Sequence, residues 1–314
     1  MGKNNHIVLL GSAGVGAAYA STKALRKYYN VKIVTADTNP SHLVTAYLLS
    51  DYFVQIPTVA SKEFDDAIIQ IINKYNIITY IPYIDLEVYR AAVLFESGKI
   101  NNKVCLQVKN SSYAEICWDK FSTYNWLKTN GYPTPETFDI KDKNQLKEGY
   151  ILKPRNGFGS VIQKIPNDKD LKIENFEKLI MQEYCNNPEI TIDVHYSKKF
   201  DFFAYACRER IETKSGVCTK ARIFNDPYLG EIALSLAKNL ELSSFCFQVM
   251  NINNEYMITD INPRLGAGTA MSVAVGLDFF AGMFATLWDE NPEKYFTRIK
   301  EEKYVTRQFC EFVM

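Results

Sequence analysis

The chain has 314 residues, 47% of them hydrophobic and 23% charged, and its 36 basic side chains are balanced by 36 acidic ones. That length accommodates two or three domains with sizeable cores, and the composition is that of a soluble globular protein. A formal net charge of zero argues against bulk electrostatic binding to nucleic acid or an acidic membrane, while leaving room for a local basic pocket.

In chain order, residues 6–10 read as a short apolar strand, entered almost at once with no charged-then-apolar leader. "GSAGVGAA" (11–18) then turns into a helix ending near Tyr29, and residues 31–36 form a second strand closed by Asp37. "FDDAIIQIINKYN" has helical periodicity and "ITYIPY" (78–83) is a third strand. Strands alternating with helices predict an α/β, doubly wound parallel sheet running to about residue 109. "WDKFSTYNWLKTNGYPTPET" is a helix stopped at Asn130–Gly131. From there the pattern changes to runs of strands, "YILKPRNGFGSVIQKI", "LIMQEYC", "EITIDVHYS", "DFFAYACRERI" and "FCFQVMNI", which predicts an α+β part with mostly antiparallel sheets. The apolar stretch 271–288 carries Gly276 and Asp278 near its centre. A charge there is costly in lipid, so two buried helices meeting at Gly276 are expected. The tail "RIKEEKYVTRQF" reads as a solvated end.

Seven scattered cysteines form no Cys-x-x-Cys pair, and with His6, His42 and His195 as the only histidines a zinc site is not expected. "GSAGVGAA" invites a dinucleotide reading, with Asp37 about twenty residues on. A GxGxxG read from Gly14 ends on Tyr19, however, where a small residue is needed, and a tight strand-to-helix turn is favoured. In "LKPRNGFG", Lys153 offers a compact positive charge, and glycines let backbone N–H groups approach phosphate oxygens. No Gly-Lys-Ser/Thr follows, and taken alone it equally reads as a hairpin turn. In "TDINPRLGAG" (259–268), Asp260, Asn262 and Arg264 stand two apart after a strand and would share one face. Mg²⁺ takes one or two carboxylates plus substrate phosphates. Asp260 and Asn262 would supply oxygen ligands, Gln248 a third or an orienting partner, and Arg264 charge for a phosphoryl group in flight. The competing reading is a salt-bridged strand edge.

Taken in order, the strand ending Lys153–Pro154, the Gly-x-Gly turn, "QEY…E…D" and "FQV…DINPR" resemble the ATP-grasp superfamily, in its carbamoyl-phosphate-synthase-like branch. The resemblance covers most of the chain. It implies a pre-ATP-grasp domain (1–109), a small subdomain with the Gly-rich loop (110–180) and a C-terminal subdomain (181–314). It implies ATP and Mg²⁺, with Mn²⁺ as a substitute. Lys120 and Lys153 would contact phosphates, and Gly157, Phe158, Gly159 and Ser160 would form the loop over them. Gln182, Glu183 and Tyr184 would lie along adenine, and Glu189 would hold the ribose. Gln248, Asp260 and Asn262 would surround the metal, with Arg264 at the transferring phosphoryl and Arg208, Arg210 and Lys214 facing phosphate or acyl substrate. The reaction implied is ATP-dependent carboxylate–amine ligation through an acyl phosphate. Two other readings compete with it: a non-catalytic ATP-binding regulatory protein, and a dinucleotide-dependent oxidoreductase. Partners would be small-molecule carboxylates and amines, with no nucleic acid or membrane, a homodimer left open, and a cytoplasmic location. The segment Tyr83–Glu87 either helps shape the substrate site or opens a helix. The single grasp unit and the Asp at 260, where the family commonly has Glu, depart from a full carbamoyl phosphate synthase.

Overall fold

The computed structural model describes residues 6–314 except 142, 158–162, 165–177, 185–186, 215 and 309. Its first third alternates β1 (Ile7–Leu10), α1 (Gly16–Tyr28), β2 (Lys32–Asp37), β3 (Tyr52–Gln55), α2 (Phe64–Tyr75), β4 (Thr79–Ile81), α3 (Asp85–Glu96) and β5 (Cys105–Leu106). The strands make a parallel sheet in the order β3-β2-β1-β4-β5. The chain therefore reverses its direction of travel between β1 and β4. In open α/β sheets the crevice at such a reversal is where ligands bind. The expected strand 78–83 shortens to Thr79–Ile81, because Pro82 cannot continue a ladder.

Next come α4 (Ser111–Trp118), α5 (Lys120–Thr129), β6 (Thr137–Asp139), β7 (Tyr150–Pro154), β8 (Gln163–Lys164) and β9 (Leu179–Glu183). The four strands form a small antiparallel sheet, β6-β9-β7-β8. The remainder is β10 (Ile190–Ser197), β11 (Phe202–Lys214), β12 (Val217–Phe224), α6 (Pro227–Asn239), β13 (Ser244–Ile252), β14 (Glu255–Asn262), α7 (Thr269–Ala274), α8 (Phe279–Leu287) and β15 (Lys303–Thr306). Its sheet runs β14-β13-β10-β11-β12-β15, antiparallel throughout.

Residues 271–288 behave as their composition dictates. Gly276 adopts φ +93°, a conformation L-residues avoid, and breaks the run into α7 and α8. Asp278 caps α8 by accepting the Ala281 amide at 3.0 Å. No helix among the described residues is long and apolar enough to cross a membrane. Instead, Phe280 and Phe284 of α8 belong to one buried cluster with Ala17, Ala18 and Leu25 of α1 and Ile223 of β12. The parallel sheet and the large antiparallel sheet thus share a core, which fixes them relative to each other.

The tail corrects the sequence reading. Residues 303–306 are not a free solvated end but the sixth strand, paired with β12, and Arg307 reaches on to donate to Ala267 O at 2.7 Å. His195 is wholly buried between Ser244 Oγ (2.8 Å) and Thr286 Oγ1 (3.1 Å), and burial pulls it down to about 3, so it is a neutral structural group. The six described cysteines are free thiols.

Candidate active site

The glycine turn after β1 is closed by the residue the dinucleotide reading needed elsewhere. Asp37 Oδ2 accepts the Gly14 amide at 2.7 Å and its Oδ1 accepts Asn39 N and Nδ2, both at 2.9 Å. Asp37 braces the turn itself. Beneath it, Glu87 is fully buried, accepts from Tyr80 Oη (2.6 Å) and Ser12 Oγ, and lies where a Cβ on Gly11 would collide with it. Gly11 is needed for that close approach. Burial raises Glu87 to about 7.

Lys120 is placed by a cap. Asp119 N-caps α5 by accepting the amides of Phe121 (3.0 Å) and Ser122 (2.9 Å), and its other oxygen takes Arg155 Nε at 2.6 Å. That carboxylate staples the segment after β7 onto the start of α5, and Lys120 N donates to Arg155 O at 3.0 Å. The Lys120 side chain then reaches Gly157 O, at 2.8 Å. Lys153, on β7, is likewise buried and donates across to Thr259 O of β14 at 3.0 Å. Burial pulls the Lys153 ammonium down to about 8, against the attraction of Asp260 and with the repulsion of Lys120. A lysine that mutual interaction ties to both groups stands in one cluster with them.

The opposite wall is β13 and β14. Gln248 pairs directly with Asp260, and the ladder shifts register at that point so that Thr259 bulges. Ile258 and Ile261 face the core, while Asp260 and Asn262 stay half-exposed. Arg264 lies just past the strand and folds back, Nη2 sitting 3.1 Å from Asn262 Oδ1 and 3.2 Å from Asp85 Oδ2. Asp85 opens α3, so this contact joins residues 179 apart in sequence. Asp85 does not cap its own helix. Burial raises its carboxyl, with Arg264 opposing the shift.

Lys120, Lys153, Gln248, Asp260, Asn262 and Arg264 are therefore brought together, and Asp85 joins them from the start of α3. Others are engaged elsewhere. Arg208, 3% exposed, forks onto Asp193, both contacts at 3.3 Å. Asp193, itself 0% exposed, also takes Thr269 Oγ1 at 2.8 Å and Ser272 Oγ at 2.6 Å. A Cβ on Gly268 would strike the Arg208 guanidinium, so this network underlies the turn that follows Arg264. Arg210 is ion-paired with Glu189, the expected ribose holder, and donates to Gly216 O at 2.8 Å. Lys214 stands on the exposed hairpin end of β11. Gln182 is buried on Thr137 Oγ1 (2.9 Å), and the amides of Glu183 and Tyr184 bond Glu136 O (2.9 Å) and Gly149 O (3.1 Å). Phe158, Gly159 and Ser160 lie outside the described residues. Among the described residues no three His, Cys, Asp or Glu side chains converge as a metal cage. One carboxylate with two amide oxygens still fits Mg²⁺, which completes its shell from phosphates and water.

Compared with known families, residues 117–268 match the ATP-grasp domain model. This segment is an ATP-grasp domain. Its match ends at Gly268, at the turn that Arg208 supports, and it takes in the whole lysine and INPR constellation. No curated protein matches the sequence. Solved structures with the same fold include N5-carboxyaminoimidazole ribonucleotide synthetase from Thermotoga maritima. It is 17% identical, with a TM-score of 0.70, over 91% of this chain and 76% of that one. The L-amino acid ligase of Bacillus licheniformis is 13% identical, with a TM-score of 0.70, over 91% and 75%. The biotin carboxylase domain of the Hydrogenobacter thermophilus 2-oxoglutarate carboxylase, solved with MgADP, is 13% identical, with a TM-score of 0.69, over 90% and 70%. All three superpose on nine-tenths of the chain, so the parallel sheet in front of the ATP-grasp domain belongs to the shared fold.

Proposed function

We propose that the protein is an ATP-dependent carboxylate–amine ligase. The observation that carries this reading is the meeting of two buried lysines with Asp260, Asn262 and Arg264 at one cluster inside an ATP-grasp domain. A carboxylate is a poor electrophile because oxide is a poor leaving group. Its oxygen attacks the γ-phosphorus of ATP, the bond to the β-bridging oxygen breaks, and ADP leaves. The amine nitrogen, having shed one proton, then adds to the carbonyl carbon of the acyl phosphate. The C–O bond to phosphate breaks, phosphate takes the electron pair, and the nitrogen loses a second proton. An amide, ADP, hydrogen phosphate and one net proton result.

Lys120, from the start of α5, and Lys153, from the small sheet, would hold the phosphates. Arg264 would meet the charge that spreads as the phosphoryl group moves, and Asn262 keeps its guanidinium turned to the cluster. Asp260, Asn262 and Gln248 are the residues that would hold Mg²⁺, which neutralises phosphate charge when bound. The protein positions and neutralises rather than forming a covalent bond of its own. The small-molecule ligase named among the similar folds supports this class of reaction.

A ligand that binds only the folded state raises stability by mass action. MgATP or MgADP should therefore raise the melting temperature by several degrees, and NADH should leave it unmoved. A large shift with NADH and none with ATP would overturn the reading.

Lys153 gives the reaction a pH limb. As pH rises through about 8 its ammonium discharges, so kcat/KM for ATP should fall toward tenfold per pH unit above that value. Lys153→Arg, which cannot titrate in this range, should flatten the limb. Stability moves the other way. The folded pKa lies below the ordinary 10.5, so the unfolded chain holds more protons between about 8 and 10.5, and the free protein gains stability as pH rises across that window. A pH–rate profile identical in the two proteins would remove Lys153 from ATP binding.

A further inference from the structure

A cleft of about 330 Å³ opens between the parallel sheet and the start of the ATP-grasp domain. Val59, Ile84 and Leu86 line it from the sheet side, and Trp118 and Gly157 from the other. Trp118 is held flat against Tyr89, with ring centroids 5.7 Å apart and planes at 14°, so its indole is a fixed wall. Of the lining residues only Asp85 is charged. The cleft sits at the reacting end of the cluster, since Gly157 O holds the Lys120 ammonium at 2.8 Å and Asp85 touches Arg264.

Asp85 is incompletely satisfied. The residue is 8% exposed, and its buried Oδ1 is ion-paired with Arg264 Nε at 2.9 Å, a contact whose poor alignment leaves both atoms short of a full hydrogen bond. The one aligned bond, from Nη2, is shared with Asn262. Buried carboxylate oxygens are ordinarily paired, and a charge-assisted bond is among the stronger pairings. Burial still raises the carboxyl despite the adjacent guanidinium, so a second cation would be welcome there. A carboxylate also repels a second carboxylate and the phosphates of ATP. Of the three reactants in a ligation, only the amine carries the charge this wall accepts.

We infer that the cleft is the amine subsite and selects a primary amine with an apolar body, its ammonium bonded to Asp85 and its carbon skeleton against Val59, Ile84, Leu86 and Trp118. The assignment rests on the ligase reading for the word substrate, but the binding it describes does not. Hydrophilic amines gain the ion pair and leave the apolar walls bare. Apolar acids gain the walls and meet the carboxylate.

Calorimetric titration of the full chain with phenethylamine, ethanolamine and 3-phenylpropionate tests this directly. Phenethylamine should bind at least tenfold more tightly than ethanolamine, and phenylpropionate should give no heat. Asp85→Asn and Trp118→Ala should each weaken phenethylamine tenfold or more, and Trp118→Phe should restore most of the loss. MgADP titrated into the two Trp118 variants checks that they are folded. Phenylpropionate binding as well as the amine, or phenethylamine affinity unchanged in both Asp85→Asn and Trp118→Ala, overturns the inference. If MgATP is still turned over with other amines in that event, the ligase reading stands without it. If phenethylamine behaves as expected but no adenine nucleotide raises the melting temperature, the ligase reading falls and the amine site remains.

Discussion

Arg264→Ala should lower kcat a hundredfold or more while leaving KM for ATP little changed. An interaction made mainly in the transition state lowers kcat, and removing one donor of this kind typically costs on the order of 10²–10³. The surroundings of Arg264 suit the proposed role. Its guanidinium is held by Asn262 on one side and Asp85 on the other before any nucleotide arrives, so little reorganisation is needed when charge develops. Arg264→Lys keeps the charge but loses the planar fork that spans both partners, so only partial recovery is expected. The measurement is steady-state ADP release against ATP concentration for the three proteins. Because alanine also leaves the Asp85 carboxylate buried without its partner, a urea melt of the same variant separates lost stability from lost chemistry. Near-normal kcat in Arg264→Ala would make this arginine a fastener between α3 and β14 and nothing more.

The second large effect is on stability. Asp193→Ala should destabilise the fold by about 3–5 kcal/mol, the usual cost of stranding a buried charge. Here the stranded group is Arg208, 3% exposed and bonded to Asp193 through two nitrogens, with the Thr269 and Ser272 hydroxyls losing their acceptor as well. Asp193→Asn should fall between wild type and alanine, since it keeps one acceptor oxygen. The midpoint of a urea transition reads this directly, and an alanine variant within 1 kcal/mol of wild type would refute the network's importance.

Much of the architecture was legible because the period of the sequence changes where the fold does. Helical spacing between short apolar runs marks the parallel sheet, and successive strands without intervening helices mark the antiparallel ones. The short edges were not legible. Cys105–Leu106 is a two-residue strand, and Lys303–Thr306 opens on a lysine and follows Lys300, Glu301 and Glu302 directly, so neither has enough apolar alternation to declare itself. Asp260, Asn262 and Arg264 could be placed together because a strand's period of two does that locally. Asp85 could not be joined to Arg264, since no local rule links positions so distant in the chain. The resemblance implied that Arg208 and Arg210 face substrate. In the structure each fork already lies against a carboxylate, Asp193 and Glu189, and only the fold brings those onto the neighbouring strand. Asp193 did leave a mark: a lone carboxylate in "ITIDVHYS" among residues otherwise suited to a core.

The clasp between Arg307 and Ala267 bears on how the molecule is made. The turn carrying Arg264 lies midway through the last third of the chain, yet its backbone is held by a side chain about forty residues downstream, and β12 lacks its outer neighbour until residues 303–306 arrive. On a ribosome, the ATP-grasp sheets can assemble well before that strand emerges. The turn after Arg264 would then be the last part of the site to set, and a nascent chain could be folded for some seconds before it was competent.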